Sequence, residues 1–386
     1  MAVKILDKKN CTGCEACCNI CPRQCITMIE DEMGFRYPHV DHKRCIECKL
    51  CEKHCPVFNI NKKQSGQEPI IYAARTKDAD VRFHSTSGGM FSEFASRIIQ
   101  QGGIVCGAGY DENNLVEHFL VDDARDIEKI RQSKYMQSRV GNVLQEIRAA
   151  LEVGRLVAFC GTPCQVAGLH QYLGREYDNL LTLDFICRGV NSPKAFRYWL
   201  NELEQENNSK STKIWFKYKE FGWKASPRCT RVDFADGSNK VYSGKQNLFM
   251  CGYLGPNLYI RPSCGDCRFK GTPRLSDITL GDFWGLNSVL EDDGGTSLVM
   301  LNTPKGIMLF QEIRDRIEYE EHSFSEIAKE NVCADNSVTI NPRSEEFLAR
   351  LGSKPFSKLV KRYSGYNLPS KILRKSKKLF RKLIHS

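Results

Sequence analysis

The chain is 386 residues long, room for two or three domains at roughly 100–200 residues each. Its composition, 41% hydrophobic and 26% charged, is that of an ordinary soluble globular protein. No run of 18 apolar residues exists, which excludes a membrane-spanning helix. The net charge of +10 is local. Residues 353–386 hold eleven Lys or Arg and no Asp or Glu, so the rest is close to neutral and overall basicity is no argument for nucleic acid.

Ten of the 19 cysteines fall within residues 11–55. Met1 to Asp7 lack the apolar core of a secretory signal, so the expected location is cytoplasmic. In that reducing compartment, dense cysteines point to metal ligation rather than disulfides. Cys11-x2-Cys14-x2-Cys17-x3-Cys21-Pro22 is followed by Cys45-x2-Cys48-x2-Cys51-x3-Cys55-Pro56. This is the bacterial two-cluster ferredoxin run written twice. Three thiolates on one tight loop hold three irons of a cube, and the fourth iron takes a cysteine from the other repeat. The expected ligand sets are Cys11, Cys14, Cys17 and Cys55 for one [4Fe–4S] cluster, and Cys45, Cys48, Cys51 and Cys21 for the other. A zinc reading accounts for groups of four cysteines but not for the duplicated third cysteine and proline. Cys18 and Cys25 read as small core residues beside the clusters, with spare ligands the alternative.

The sequence divides into a ferredoxin domain at 1–60, a polar linker at 61–69 and a body whose two parts run 70–190 and 191–345. A basic helical tail follows at 346–386. In the body, Ile70 to Ala74 reads as a strand, and Phe91, Phe94, Ala95, Ile98 and Ile99 recur at helical spacing before Gly102-Gly103. Ile104 to Cys106 is the next strand, and Val143, Leu144, Ile147, Ala150 and Leu151 form one helical face. Leu156 to Cys160 and Leu180 to Cys187 are buried strands, each followed by a helix, the second opened by Ser192-Pro193. Lys213 to Lys219, Arg231 to Phe234 and Lys240 to Tyr242 read as further strands, with a hairpin at Asp236-Gly237. The fold class is therefore α/β, or α+β overall: a two-cluster ferredoxin domain, a mixed-sheet body and a helical tail.

Of nine body cysteines, Cys264-x2-Cys267 makes a two-ligand clip in a Pro/Gly-bounded loop. Cys164 opens a helix after a strand and a proline turn, and Cys187 ends the next strand. If the two strands are neighbours, both cysteines lie at carboxyl ends on one sheet edge, where α/β sheets place their sites. Cys164, Cys187, Cys264 and Cys267 are thus candidates for a third cluster. Cys106 and Cys160 sit in apolar strands and read as buried small hydrophobes, with Cys160-x3-Cys164 an alternative ligand pair. Cys229, Cys251 and Cys333 have no obvious partners. Ser85-Thr86-Ser87-Gly88-Gly89-Met90 joins hydroxyls and glycines to a helix start, which fits a bound pyrophosphate and equally a plain N-cap.

Five ordered segments carry a family resemblance: Ser85 to Phe91, Ser133 to Ser138, Phe159 to Leu169, Arg261 to Cys267 and Ser276 to Gly285. Together, over about residues 1–320, the chain resembles the coenzyme F420 hydrogenase/dehydrogenase beta-subunit family in the form with a fused ferredoxin domain. The resemblance implies FAD and a further [4Fe–4S] cluster in the body. It implies flavin contacts from Ser85, Thr86, Ser87, Gly88, Gly89, Met90, Ser133, Lys134, Gln137, Ser138, Gly161, Thr162, Pro163 and Asp282. Lys134 would stabilise reduced anionic flavin, the one catalytic role assigned, although an isolated lysine is otherwise a surface charge. Trp284 reads as core, with a stacking partner the alternative, and Asp293 to Ser297 as a flexible polar loop lining the flavin or an ordinary hairpin. Relatives often have Cys-His-Gly where this chain has Cys187-Arg188-Gly189, so a proton-transferring histidine is not available there.

The expected function is an iron–sulfur flavoprotein oxidoreductase acting on a small diffusible substrate, such as coenzyme F420 or a polysaccharide-pathway intermediate. The rival is an electron-transfer subunit with no substrate site. Expected partners are an electron-donor or acceptor protein and the substrate, with no nucleic acid. From Pro369 to Ser386, Ile372, Leu379 and Leu383 share a helical face among seven Lys or Arg. That suits contact with an inner membrane surface, or a solubilising tail.

Overall fold

The computed structural model describes residues 7–60 and 68–365. Most of the 61–69 linker and the helix expected after Pro369 lie outside the described residues. In the ferredoxin part, short helices Ala16–Ile20 and Leu50–Lys53 follow the two cysteine loops, and β1 (Ile26–Glu30) pairs antiparallel with β2 (Arg36–Val40). Both loops turn through the left-handed region at equivalent places, Gly13 and Glu15 in the first, Glu47 and Lys49 in the second. Repetition of the sequence is repetition of the backbone.

The body is built on an eight-stranded mixed sheet. Its strands are β3 (Ile70–Thr76), β4 (Ile104–Tyr110), β5 (Val116–Val121), β6 (Val157–Cys160) and β7 (Leu180–Phe185), joined after a separate subsheet by three more. That subsheet is an antiparallel trio, β8 (Ser211–Phe216), β9 (Thr230–Phe234) and β10 (Asn239–Tyr242). The chain then returns with β11 (Ile278–Asp282), β12 (Ser297–Leu301) and β13 (Ile317–His322). The order across the large sheet is β13-β3-β12-β11-β7-β6-β4-β5. The four central strands β11, β7, β6 and β4 are parallel and the flanking pairs antiparallel. β12 is buried at every position, and β6 at all but its last, as expected of strands covered on both faces.

This order fixes where the site lies. β6 and β7 are immediate neighbours, with Cys160 opposite Leu183, so the loops that follow them leave one edge of the sheet together. Helix Pro163–Leu173 starts there, closed by a capping box between Thr162 and Gln165 with proline in the first turn. β7 ends at Phe185, so Cys187 stands two residues beyond the strand rather than at its end. The Lys213–Lys219 strand is displaced too. β8 stops at Phe216 because Lys217 takes a left-handed conformation, φ 56°, which turns the chain and aims its amine at Asp282.

The ferredoxin part is docked along the body by polar contacts. The Glu15 carboxylate accepts from the backbone N–H of Val140 and Gly141 at 3.2 and 3.0 Å. Asn19 donates to the Gly141 carbonyl, Ser192 Oγ to the Met33 carbonyl and Gln171 to the Asn59 carbonyl. Helix Ala16–Ile20 packs on helix Pro163–Leu173, where Gly168 faces Cys14; a Cβ there would lie 2.9 Å from the Cys14 Cβ.

Candidate iron–sulfur and cofactor site

Three cavities hold the cysteines. The inner ferredoxin cavity is lined by Cys11, Cys14, Cys17 and Cys55, and the outer one by Cys21, Cys45, Cys48 and Cys51. The body cavity is lined by Cys164, Cys187, Cys264 and Cys267. Each expected set of four is therefore brought to one cavity. Among the described residues no three His, Cys, Asp or Glu side chains converge on a single-ion point; the thiols are instead spread around cavity walls. The walls are shared. Cys51 lines both ferredoxin cavities, and Thr12 and Gly13 line both the inner and the body cavity. The three stand in series, outer to inner to body.

The electrostatics of these thiols are those of buried groups. Burial pushes Cys14 and Cys187 well above the ordinary thiol range and raises Cys164 to about 12 and Cys264 to about 11. Neighbouring thiols add to the rise for each. Iron reverses that balance, because a coordinated thiol is deprotonated outright. The donor chemistry of all three sets fits a [4Fe–4S] cube. Two further cysteines join the linings. Cys25 lines the outer cavity with its Sγ 3.4 Å from that of Cys21, and Cys333 lines the body cavity. Cys18 packs beside Cys25, while Cys106, Cys229 and Cys251 are buried. Cys160 is half-buried and does not line the body cavity.

The expected flavin contacts form a band that runs from the helix at Met90 to the body cavity. At one end, Ser133 N donates to Thr86 Oγ1 at 2.9 Å, and the two hydroxyls lie 3.2 Å apart. At the other, Gln137, Ser138, Thr162 and Pro163 line the body cavity, and Ser138 Oγ accepts from Gln165. Lys134 lies between, half-buried, its amine donating to the Arg131 carbonyl at 2.6 Å; burial pulls it down to about 7. Two unpartnered buried polar atoms, Tyr110 Oη and His118 Nδ1, belong to residues near this lysine. Their lack of protein partners fits a polar ligand at this edge. Met90 is buried, and the rest of the Ser85–Gly89 loop is engaged internally. Ser85 Oγ donates to the Val81 carbonyl, Ser87 Oγ to the Thr296 carbonyl, and Gly88 N to Ser297 Oγ. Gly161 packs against the Phe159 ring.

Asp282 is paired with Lys217 at 2.5 Å, and Lys217 is only 2% exposed. Its amine lies over Trp284, which stacks on Trp223 with ring centroids 4.2 Å apart. Lys219 donates to the carbonyls of Arg82, Ser87 and Gly294, three acceptors for the three N–H of an ammonium, while burial pulls its pKa down to about 7. Arg188 lines the body cavity and bonds Asn257. The sequence assigns no site role to Lys217, Lys219, Tyr110, His118, Cys333 or Arg261. The two lysines did leave a signal, as charges at alternate positions closing an apolar strand.

A duplicated cysteine domain feeding a third thiol cavity at the edge of a mixed sheet defines an iron–sulfur oxidoreductase component. Comparison with known proteins narrows the class. Residues 71–145 and 154–327 match the N-terminal and C-terminal parts of the coenzyme F420 hydrogenase/dehydrogenase beta subunit, and residues 10–59 match a 4Fe-4S dicluster domain. The chain belongs to the coenzyme F420 hydrogenase/dehydrogenase beta-subunit family and carries a ferredoxin-type 4Fe–4S domain. It is similar to a subunit of the F(420)H(2) dehydrogenase of Methanosarcina mazei, 24% identical over 335 residues, 82% of this chain and 86% of that one. The PorD subunit of the pyruvate synthase of Methanocaldococcus jannaschii is 41% identical over 59 residues, 15% of this chain and 63% of that one. A chain of the F420-reducing [NiFe] hydrogenase complex from Methanosarcina barkeri aligns with 17% identity, 78% coverage of this chain, 91% of that one and a TM-score of 0.44. Among the described residues no helix is long and apolar enough to cross a membrane.

Proposed function

We propose that this chain is an iron–sulfur flavoprotein that exchanges two electrons with a small diffusible substrate of the F420 class and single electrons with a protein partner. The observation that carries the reading is the serial arrangement of three thiol cavities with shared walls, Cys51 between the first two and Thr12-Gly13 between the second and third. When bound, the clusters supply one-electron transfer and FAD the two-electron hydride chemistry.

The chain's own residues then have distinct tasks. Cys48, exposed at the outer cavity, marks the end open to a partner, and helix Pro163–Leu173 holds Cys164 at the end near the flavin band. Thr86 and Ser133 orient the ligand edge, and Lys134 sets positive charge there. With a pKa near 7, Lys134 can also hold or release a proton at its Nζ. Arg188 contributes charge beside Cys187 and transfers no proton.

Internal engagement of the Ser85–Gly89 loop favours a second reading, an electron-transfer subunit without flavin. Iron, acid-labile sulfide and flavin per anaerobically purified chain separate the two. About twelve irons with one FAD, and reduction of F420 by the reduced protein, are expected. About twelve irons without flavin would leave the second reading, and about eight would remove the body cluster altogether.

A further inference from the structure

Arg261 is completely buried and, among the described residues, has no carboxylate within ion-pairing distance. Its guanidinium donates to three neutral oxygens: Nε to the Cys11 carbonyl at 2.9 Å, one terminal nitrogen to Gln137 Oε1 at 2.9 Å, the other to the Arg36 carbonyl at 3.1 Å. It lies over the Tyr37 ring, 4.2 Å from its centroid. Each of its three nitrogens has a hydrogen-bond partner, but neutral acceptors do not balance a full positive charge taken out of water. The groups near it that become anionic when iron is bound are cysteine thiols. Arg261 Nε reaches the backbone of Cys11 of the inner set, and the Arg261 carbonyl accepts from the backbone N–H of Cys264 of the body set.

Its position is built into the shared wall. Gly13, φ +71°, stands against it; a Cβ there would lie 3.1 Å from the guanidinium carbon and 2.4 Å from Gln137 Nε2. Gln137 is 6% exposed, lines the body cavity and has no partner for that Nε2. A buried amide donor facing a thiol-lined cavity is suited to an N–H···S bond. Arg261 also heads the clip loop, where Cys264 N donates to its carbonyl.

We propose that Arg261, held by Gln137, is the shared countercharge of the inner ferredoxin cluster and the body cluster, raising both reduction potentials and leaving the outer cluster untouched. The inference rests on the three-cluster reading above. Positive charge favours the more negative, reduced state of each nearby cluster, and cluster potential follows net charge and hydrogen bonds to sulfur. An added electron on either cluster is thereby stabilised at the wall between them.

The test is an anaerobic redox titration of the full chain followed by electron paramagnetic resonance, with the outer signal assigned as the one that Cys48→Ser removes. Arg261→Gln deletes the charge. Gln137→Glu keeps the volume and pairs the guanidinium with a carboxylate, so it carries the test if the first variant loses iron. Each is expected to shift the oxidised-to-reduced ratio of the inner and body clusters at least tenfold at fixed potential, 59 mV for one electron, toward the oxidised form. The outer cluster should stay within the error of the wild type. Unmoved potentials in an iron-replete variant, or equal movement of all three, overturns the proposal. Wild-type protein with about eight irons overturns the three-cluster reading instead, so the two failures are distinct.

Discussion

The two cysteine repeats share a backbone and differ in what stands behind it. Gly13 and Glu47 occupy equivalent places and both have positive φ, 71° and 53°. At position 47 the side chain is exposed to solvent. At position 13 a side chain would displace the contact of the cysteine loop with Arg261 and Gln137. A tight loop around a cube thus needs the left-handed turn in both repeats, but only the inner repeat needs glycine for space as well. Equal ligand spacing therefore predicts equal clusters, while the surroundings set one cavity against the body and leave the other at the surface, with Cys48 exposed.

Exchanging these residues should break the equivalence most severely on the inner side. Gly13→Glu forces an acid into the wall between two cavities, and overpacking plus a buried charge places it among the large destabilisations, upwards of ~4 kcal/mol. The expected outcome is loss of the inner cluster, about eight irons per chain in place of about twelve, and a lower thermal midpoint. Full iron content in that variant would show that the wall is soft and the docking loose. A smaller effect of the same kind is expected from Gly168→Ala. The new methyl would meet Cys14 Cβ at 2.9 Å and Sγ at 3.1 Å. A cost of about 1–3 kcal/mol in denaturant unfolding follows for an overpacked contact, with the outer cluster retained.

The same contrast governs what could be read from the sequence. The ferredoxin ligands are local, three per loop at fixed spacing with a proline behind the fourth, so Cys11 to Cys55 could be sorted into sets without a fold. The body set was legible in part, because Cys264-x2-Cys267 is a local clip and Cys164 and Cys187 follow neighbouring strands. Cys333 was not, since it arrives from a short turn near the end of the body with no spacing to any partner. Arg261 lay inside a recognised segment, yet its partners come from residues 11, 36 and 137, and only the docked fold brings them together. The left-handed turn at Lys217, which ends β8 early, likewise answers a tertiary pairing with Asp282 that strand periodicity does not encode.

Lys134 sharpens the comparison from the body side through its response to pH. Its folded pKa near 7 lies below the ordinary 10.5 of an exposed lysine, with burial the cause. Between those values the unfolded chain binds more protons than the folded one, so stability rises as pH increases from about 7 toward 10. Half-burial discounts the effect to on the order of 1 kcal/mol. Lys134→Met should flatten that rise in denaturant titrations at pH 7 and 9, and should leave the iron content of both ferredoxin cavities unchanged. An undiminished rise would place the lysine in solvent, away from the expected flavin contacts.

The smallest effect is expected at the outer counterpart of the first exchange. Glu47→Gly removes a side chain held at φ 53°, where L-residues are strained by roughly 1–2 kcal/mol and glycine is not. Against this, glycine adds backbone freedom to the unfolded chain, worth about 0.4–1 kcal/mol. These two backbone terms nearly cancel, to ~1 kcal/mol or less. Iron content, and the potentials of all three clusters, should match the wild type, because the position is exposed and lines none of the three cavities. Should Glu47→Gly instead destabilise the chain as Gly13→Glu does, the turn itself, and not the wall behind it, would be what limits the repeats. The unequal roles of the two clusters would then need a cause other than Arg261 and Gln137.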